Sequence, residues 1–374
     1  MLDAIRRNPG ISRADIARRT GFSRPSVTFV VNRLISARLV KELKAGAGTQ
    51  NGRPPTALQL RADSKTAVSV EIACPESRVV LVDLNGKTLR ESKVSWNRDP
   101  DVLLQNLYLA IKEVGSSRKV LGVGVSLPGT IDRMSGKVIA AEALDWFDVE
   151  VGRFFRGRFR CPLYFENNAN LSALGERWHA PPADEALRYF VYLHLQGGLG
   201  SGVFVDGRML HGVASAATEF GHVMLYPDGR PCTCGNRGCW EQYASDAALV
   251  RTYREVSGLT ADTRVIIAMA RAGDRSAADA LRTTAEYLGL GLVNLIAALN
   301  PQAIIFGEPI ASAWDLVEDV IWAELRKRVP AYCLHGLVLR PSRFGSEAAL
   351  RGAAALVLEH FFNRFDPVAM EIFA

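Results

Sequence analysis

"EFGHVMLYPDGRPCTCGNRGCWE" runs from Glu219 to Glu241 and holds three of the chain's six cysteines, Cys232, Cys234 and Cys239, within eight residues. His222 precedes the first of them by ten positions. Three thiolates and one imidazole are the donor set of a tetrahedral Zn²⁺ site. Such a site uses all four positions and leaves none open for water, so the ion would be structural. Isolated buried thiols are the competing explanation, and clustering in a reduced compartment favours the metal. Gly235 and Gly238 let the backbone turn tightly between the ligands. Cys74, Cys161 and Cys333 are scattered and are expected to be inert core residues.

The rest of the chain bounds this reading. A length of 374 residues suits two or three domains, and 48% hydrophobic with 22% charged residues is ordinary for a soluble globular protein. No apolar run is long enough to cross a bilayer, and "MLDAIRRNPGISRAD" lacks the apolar stretch of a signal peptide. A cytoplasmic location with no membrane partner is the expectation. The net charge of +6 is uneven. Residues 1–60 carry eleven Lys and Arg against three Asp and Glu, which leaves +8 there and −2 over the remaining 314 residues. A basic segment of this kind is either a well-solvated surface or the footprint of a polyanion partner.

The pattern inside that segment favours the polyanion. "ISRADIARRTGFSRPSVTFVVNRLISARLV" (residues 11–40) reads as two helices around a tight turn. Ser12 with Asp15 forms an N-cap signature. Gly21 breaks the first helix, Ser23 caps the second, and Pro25 sits in its first turn. Val27, Val30, Val31 and Leu34 follow helical spacing. Helix-turn-helix motifs place the start of the second helix in the major groove, so Ser23, Arg24, Ser26 and Thr28 are the candidate DNA contacts. Arg24 could read a guanine or hold a phosphate. The first helix starts almost at Met1, so it is short, or the true start lies upstream. "LVKELKAGAGTQNGRPPTALQL" resembles the hairpin of a winged helix, with Gly46, Gly48 and Asn51-Gly52 as turn material. "GRPP" could place Arg53 in the minor groove or act as a stiff linker.

Beyond residue 64 the pattern changes. "TAVSVEIA", "SRVVLVDL" and "TLRESKVSW" are three β-rich runs, followed by the helix "DVLLQNLYLAIKEVG", the strand "KVLGVGVSLPGTID", the strand "CPLYFENN" and the helix "ANLSALGERWH". The order roughly repeats from "RYFVYLHLQGGLGSGVFVDGRML" to the late strand "PQAIIFGEPI". Two similar α/β lobes with a cleft between them are expected. The expected units are residues 1–61 (winged helix and linker), 62–185 (first lobe) and 186–374 (second lobe, with the zinc loop). The C-terminal helix is expected to pack back on the first lobe.

With "EFGH" (Glu219–His222) and "CTCGNRGCWE" (Cys232–Glu241), the chain resembles the ROK family of repressors, open reading frames and sugar kinases over essentially its whole length. The resemblance implies an actin-like, sugar-kinase-type body, a duplicated ribonuclease H-like unit, with the winged helix of the family's repressor branch in front. It implies sugar contacts from Glu219, His222 and Glu241, with His222 binding zinc through one ring nitrogen and sugar through the other. Asn167, Asn168 and the backbone of Gly129 would complete the sugar site.

The family's kinases also carry Glu-Asn-Asp, whose Asp is the general base. Here the run is "ENN", and the amide of Asn168 cannot accept a proton at neutral pH. The family's phosphate turns also differ. "EIACP" (Glu71–Pro75) stands for Asp-x-Gly-Gly/Ala-Thr, "QGGLG" (Gln196–Gly200) lacks its threonine, and the adenosine-side Gly-Gly is Gly307-Glu308. Pro75 also lacks an N–H donor. The expectation is therefore a non-enzyme that uses no ATP: a sugar-responsive, DNA-binding transcriptional regulator, most simply a repressor, working as a homodimer or dimer of dimers on operator DNA with a monosaccharide effector. An ATP-dependent sugar kinase and a DNA-binding dimer without small-molecule sensing are the alternatives.

Overall fold

The structure is a computed structural model, and it describes residues 1–43, 56–115, 120–181, 184 and 186–364. Arg53, the glycines of the expected wing turn and Pro54-Pro55 lie outside the described residues.

The front of the chain is α1 (Leu2–Arg7), α2 (Arg13–Thr20), α3 (Arg24–Ser36), β1 (Val40–Leu43) and β2 (Ala57–Leu60). The caps are the ones written in the sequence. The Ser12 hydroxyl accepts from the Asp15 N–H while Asp15 accepts from the Ser12 N–H, and Gly21 ends α2 at φ 73°. Ser23 caps α3 with Pro25 in its first turn. β1 and β2 pair antiparallel, Val40 opposite Leu60. Ile5, Ile16, Val27, Val31, Leu34 and Leu58 are all at most 1% exposed, which makes this small unit's core.

The first lobe contains β3 (Thr66–Glu71), β4 (Glu76–Asp83), β5 (Thr88–Ser95), α4 (Pro100–Gly115), β6 (Val120–Leu127), β7 (Thr130–Asp132), β8 (Lys137–Ala141), β9 (Trp146–Val149), α5 (Val151–Phe155), β10 (Leu163–Asn167) and α6 (Asn168–Trp178). The second contains β11 (Phe190–His194), β12 (Gly200–Val205), β13 (Arg208–Met209), α7 (Glu241–Ala244), α8 (Asp246–Ser257), α9 (Thr263–Arg271), α10 (Arg275–Leu299), β14 (Ala303–Phe306), α11 (Trp314–Arg328), α12 (Ala331–Leu334), β15 (Val338–Pro341) and α13 (Ala348–Asn363).

The two large sheets share one plan. Three antiparallel strands come first, β3-β4-β5 in one and β11-β12-β13 in the other. Two later strands then add in parallel on the far side of the first strand, β6 and β10 in one sheet and β14 and β15 in the other. This is the duplication read from the sequence. The small sheet β7-β8-β9 is an insertion into the first lobe that the sequence pattern did not announce.

The helix α13 packs on β3, β6 and α6. Its apolar face and that of α6 belong to one buried cluster with the winged-helix core and with Phe190, Tyr192 and Ile305 of the second sheet. A separate cluster fills the second lobe around α10, and a third fills the first lobe around α4. The expectation of core burial fails for Cys74, which is exposed because it lies in the turn between β3 and β4; Cys161 and Cys333 are half-buried at the edges of the two lobe cores.

Candidate functional site

Between β13 and α7 the chain runs without regular strands and is held by its own backbone bonds. Leu225 N–H donates to Gly238 O, Gly238 N–H to Arg230 O, and Cys232 N–H to Asn236 O. Gly238 is at φ 72°, and a Cβ there would lie 1.6 Å from the Tyr226 carbonyl oxygen. Any other residue would push the loop apart. The loop is anchored on the lobe by Trp240, fully buried, whose indole N–H donates to Tyr287 O at 2.9 Å.

This folding brings one ligand atom each from His222, Cys232, Cys234 and Cys239 to within 4.8 Å of one another. Cys234 and Cys239 sulfurs are 3.7 Å apart, and Cys232 Sγ is 3.6 Å from His222 Nδ1. A tetrahedral zinc with bonds of about 2.3 Å needs sulfurs about 3.8 Å apart, so the donor set and its spacing fit a metal ion. Burial pushes the Cys232 and Cys239 thiols up. A divalent cation among them would supply the charge that favours thiolates. Glu241, the first residue of α7, places Oε1 at 2.9 Å from Cys232 Sγ and 3.6 Å from His222 Nδ1. Nδ1 of His222 is thus the nitrogen turned to the cluster.

Beside this cluster, Gly129, Thr130, Asn167, Asn170, Ser201 and Glu219 line a cleft between the lobes. Gly221 lies against the Gln196–Gly200 turn so closely that a Cβ would stand 2.0 Å from the Leu199 oxygen. Glu219 is raised by burial, opposed by His222 and reinforced by the acids Glu241 and Glu142. The residue before it, Thr218, is β-branched yet at φ 70°. Its hydroxyl donates to Ser201 O at 2.9 Å and the Ser201 hydroxyl donates back to its carbonyl. This reciprocal pair holds the strained residue in place.

Gly129, Asn167 and Glu219 therefore meet at the cleft, and Glu241 joins the metal cluster through His222. Asn167 caps α6, accepting from the Ala169 and Asn170 N–H groups, and its amide donates to Gly129 O at 2.7 Å. Asn168 is held elsewhere. Its amide bonds His194 Nε2 at 3.2 Å, across the lobes. Burial holds His194 down at about 4, so it is neutral and accepts there.

Sequence reasoning missed Glu166, only 2% exposed at the end of β10. It accepts from the Asn167 N–H, from the Asn170 amide at 3.0 Å and from His211 of the second lobe at 2.9 Å, with Arg133 at 3.5 Å. Burial raises this carboxyl, but those bonds carry it below the usual range. Its being a Glu just before "NNAN" was the available signal.

In the winged helix, Ser23, Arg24, Ser26 and Thr28 are all exposed at the start of α3. The hydroxyls of Ser23 and Ser26 bond each other at 2.8 Å.

At the three turns matched to phosphate binding, four N–H groups are committed. Ile72 donates to Ser126 O and Ala73 to the Ser77 hydroxyl. Gly197 donates to the Asp246 carboxylate, and Gly307 to Leu193 O. Glu71 at the first turn is pushed up to about 7 by burial, with Arg78 opposing and Glu347 adding.

A two-lobed sugar-kinase-type body with a Cys₃His cluster beside its cleft, behind a winged helix, defines the class. The chain belongs to the ROK family: the family's model matches residues 67–360, and that of the MarR family matches residues 1–47. It is 29% identical over 373 residues to a xylose repressor of Bacillus spizizenii, covering 97% of this chain and 95% of the relative. A crystal structure of a ROK family transcriptional regulator, described as a homologue of the E. coli MLC protein, superposes with a TM-score of 0.81 at 26% identity, covering 94% of this chain and 92% of that one. A ROK family glucokinase from Streptomyces griseus in complex with glucose and AMPPNP gives 0.70 at 28% identity, covering 78% of this chain and 98% of the glucokinase. Among the described residues, no helix is long and apolar enough to cross a membrane.

Proposed function

We propose that the chain is a sugar-responsive transcriptional repressor of carbohydrate genes, acting in the cytoplasm as a homodimer or dimer of dimers. One observation carries this: a sugar-type cleft with its Cys₃His cluster is joined to a winged helix by one buried helix, α6. Glu219, His222 through Nε2, Glu241 and Asn167 would bind the hydroxyls of a monosaccharide, with Asn168 and Gly129 alongside. Zinc bound by His222, Cys232, Cys234 and Cys239 would cross-link the loop that carries Glu219 and Glu241. Ser23, Arg24, Ser26, Thr28 and Arg53 would meet operator DNA.

The path from cleft to DNA is short. Asn167 caps α6 at the cleft. Near the other end, Glu176, 1% exposed, accepts from Arg340 at 3.0 Å and the Ser342 hydroxyl at 2.7 Å, both in the second lobe. Trp178, the last residue of α6, lies under the Arg6 guanidinium of α1 at 4.1 Å and packs on Phe362 at 5.6 Å. A sugar that favours one lobe arrangement would thus move the winged helix through α6, provided it binds the two arrangements unequally.

ATP and phosphoryl transfer have no place in this reading. Asn168 is no base, and Glu71, Asp246 and Glu308 set carboxylates at or against the turns where phosphates would sit. The test is incubation with Mg-ATP and D-xylose, D-glucose or N-acetylglucosamine. No ADP should form above the sugar-free control, and calorimetry should detect binding of one sugar without ATP. Sugar-dependent ADP release would establish the kinase instead.

A further inference from the structure

The helix α3 buries Val27, Val31 and Leu34. At about 100° per residue these three share one narrow arc, and Phe29 points almost directly away from it. Phe29 is accordingly 64% exposed, on the outward side of a helix whose first two turns also expose Arg24, Ser26 and Thr28. The Arg33 guanidinium, 5.8 Å from the ring centre, steadies it. Serine, arginine and threonine can all hydrogen-bond a base edge or a phosphate. A phenyl ring can do neither, so its exposure among them calls for an apolar target.

We propose that Phe29 reads the 5-methyl group of a thymine in the operator's major groove. The proposal rests on the reading of α3 as the helix that enters DNA. The thymine methyl is the apolar group that base edges present in that groove. The charge around the ring agrees. Arg33 lies beside it and Arg24 stands at the start of the same helix, within a segment of net charge +8, which suits phosphates along the groove. A second copy of this chain is a poor occupant, because it would bring the same arginines to the same place.

The test uses the full-length protein. A duplex is selected from a random pool by the wild type. Each thymine of that duplex is then replaced in turn by uracil, which removes only the methyl, and binding is followed by fluorescence anisotropy at fixed salt. One replacement should weaken the wild type about fourfold, the value of one buried methyl-sized group. The same replacement should change Phe29→Ala by less than about 1.5-fold, because the partner is already gone. Replacing that thymine by 5-methylcytosine should cost the wild type less than replacing it by cytosine. Phe29 is exposed, so the variant should fold, and an unchanged Tm checks this. If every uracil duplex affects both proteins equally, the assignment to thymine is overturned. If Phe29→Ala instead alters the mass in solution and leaves the uracil effects intact, the ring serves self-association and the proposal fails. If the wild type selects no sequence, the DNA-binding reading itself falls, and the role of Phe29 with it.

Discussion

On one wall of the cleft, Gly129, Asn167 and Glu219 converge, and the loop that carries Glu219 is tied to a Cys₃His cluster whose sulfurs already stand at metal-ligand spacing. On the wall matched to nucleotide binding, Ala73 and Gly197 have spent their N–H groups on Ser77 and Asp246, and the half-buried Glu71 has its carboxyl pushed up to about 7 by desolvation. Both walls are built on the same duplicated sheet. They differ in what the backbone leaves free. Hydroxyl recognition needs a few fixed acceptors, which a loop cross-linked by a metal would supply. Phosphate binding draws on unpaired N–H groups and is opposed by nearby carboxylates; at these turns the Ile72, Ala73, Gly197 and Gly307 N–H groups are already bonded, and Glu71 and Asp246 stand beside them.

Three changes sharpen or break this contrast. The largest effect is expected from Cys234→Ser. It should take bound zinc from about one ion per chain to none and abolish measurable sugar binding, while operator affinity stays within about threefold, since the winged helix has its own core. Unchanged zinc content by elemental analysis would remove Cys234 from the ligand set. Glu219→Gln comes next. Loss of a charged acceptor should weaken sugar binding about ten- to hundredfold by calorimetry, with zinc retained. An unaltered affinity would detach Glu219 from the sugar.

Glu71→Gln probes the opposite wall and should leave sugar affinity alone. The Glu71 carboxyl is raised from 4.5 to about 7 in the fold. Its neutral form suits the folded state, so its contribution is fully present below pH 4.5 and is lost as pH rises through 7. Glu71→Gln should therefore raise stability at pH 8 by about 2 kcal/mol and leave it unchanged at pH 4. Equal effects at both pH values in urea unfolding would mean that Glu71 is not buried as a strained acid.

Much of this was legible in the sequence because it is local. Caps at Ser12 and Ser23, the Gly21 turn and the cysteine spacing each lie within a few residues, and their geometry follows from short-range bonds. The repeat of three antiparallel strands was legible for the same reason. The Glu166–His211–Arg133 network was not, since it joins residues 33 and 45 positions away from Glu166 across two lobes. Nor was the turn of Asn168 toward His194, which depends on how α6 meets β11. Phe29 was passed over because an aromatic residue in a helix reads as core until the buried arc of that helix is known. Cys74 was misread because burial is typical of cysteine and a turn between edge strands overrides it.

The central claim is that sugar in the cleft changes the hold of the winged helix on DNA. Fluorescence anisotropy on DNA from upstream of the protein's own gene, at fixed salt and with a panel of neutral monosaccharides, tests it most directly. One sugar should shift operator affinity at least about fivefold, the lower end of ordinary coupling between sites. Specific binding that no sugar in the panel moves would contradict the account.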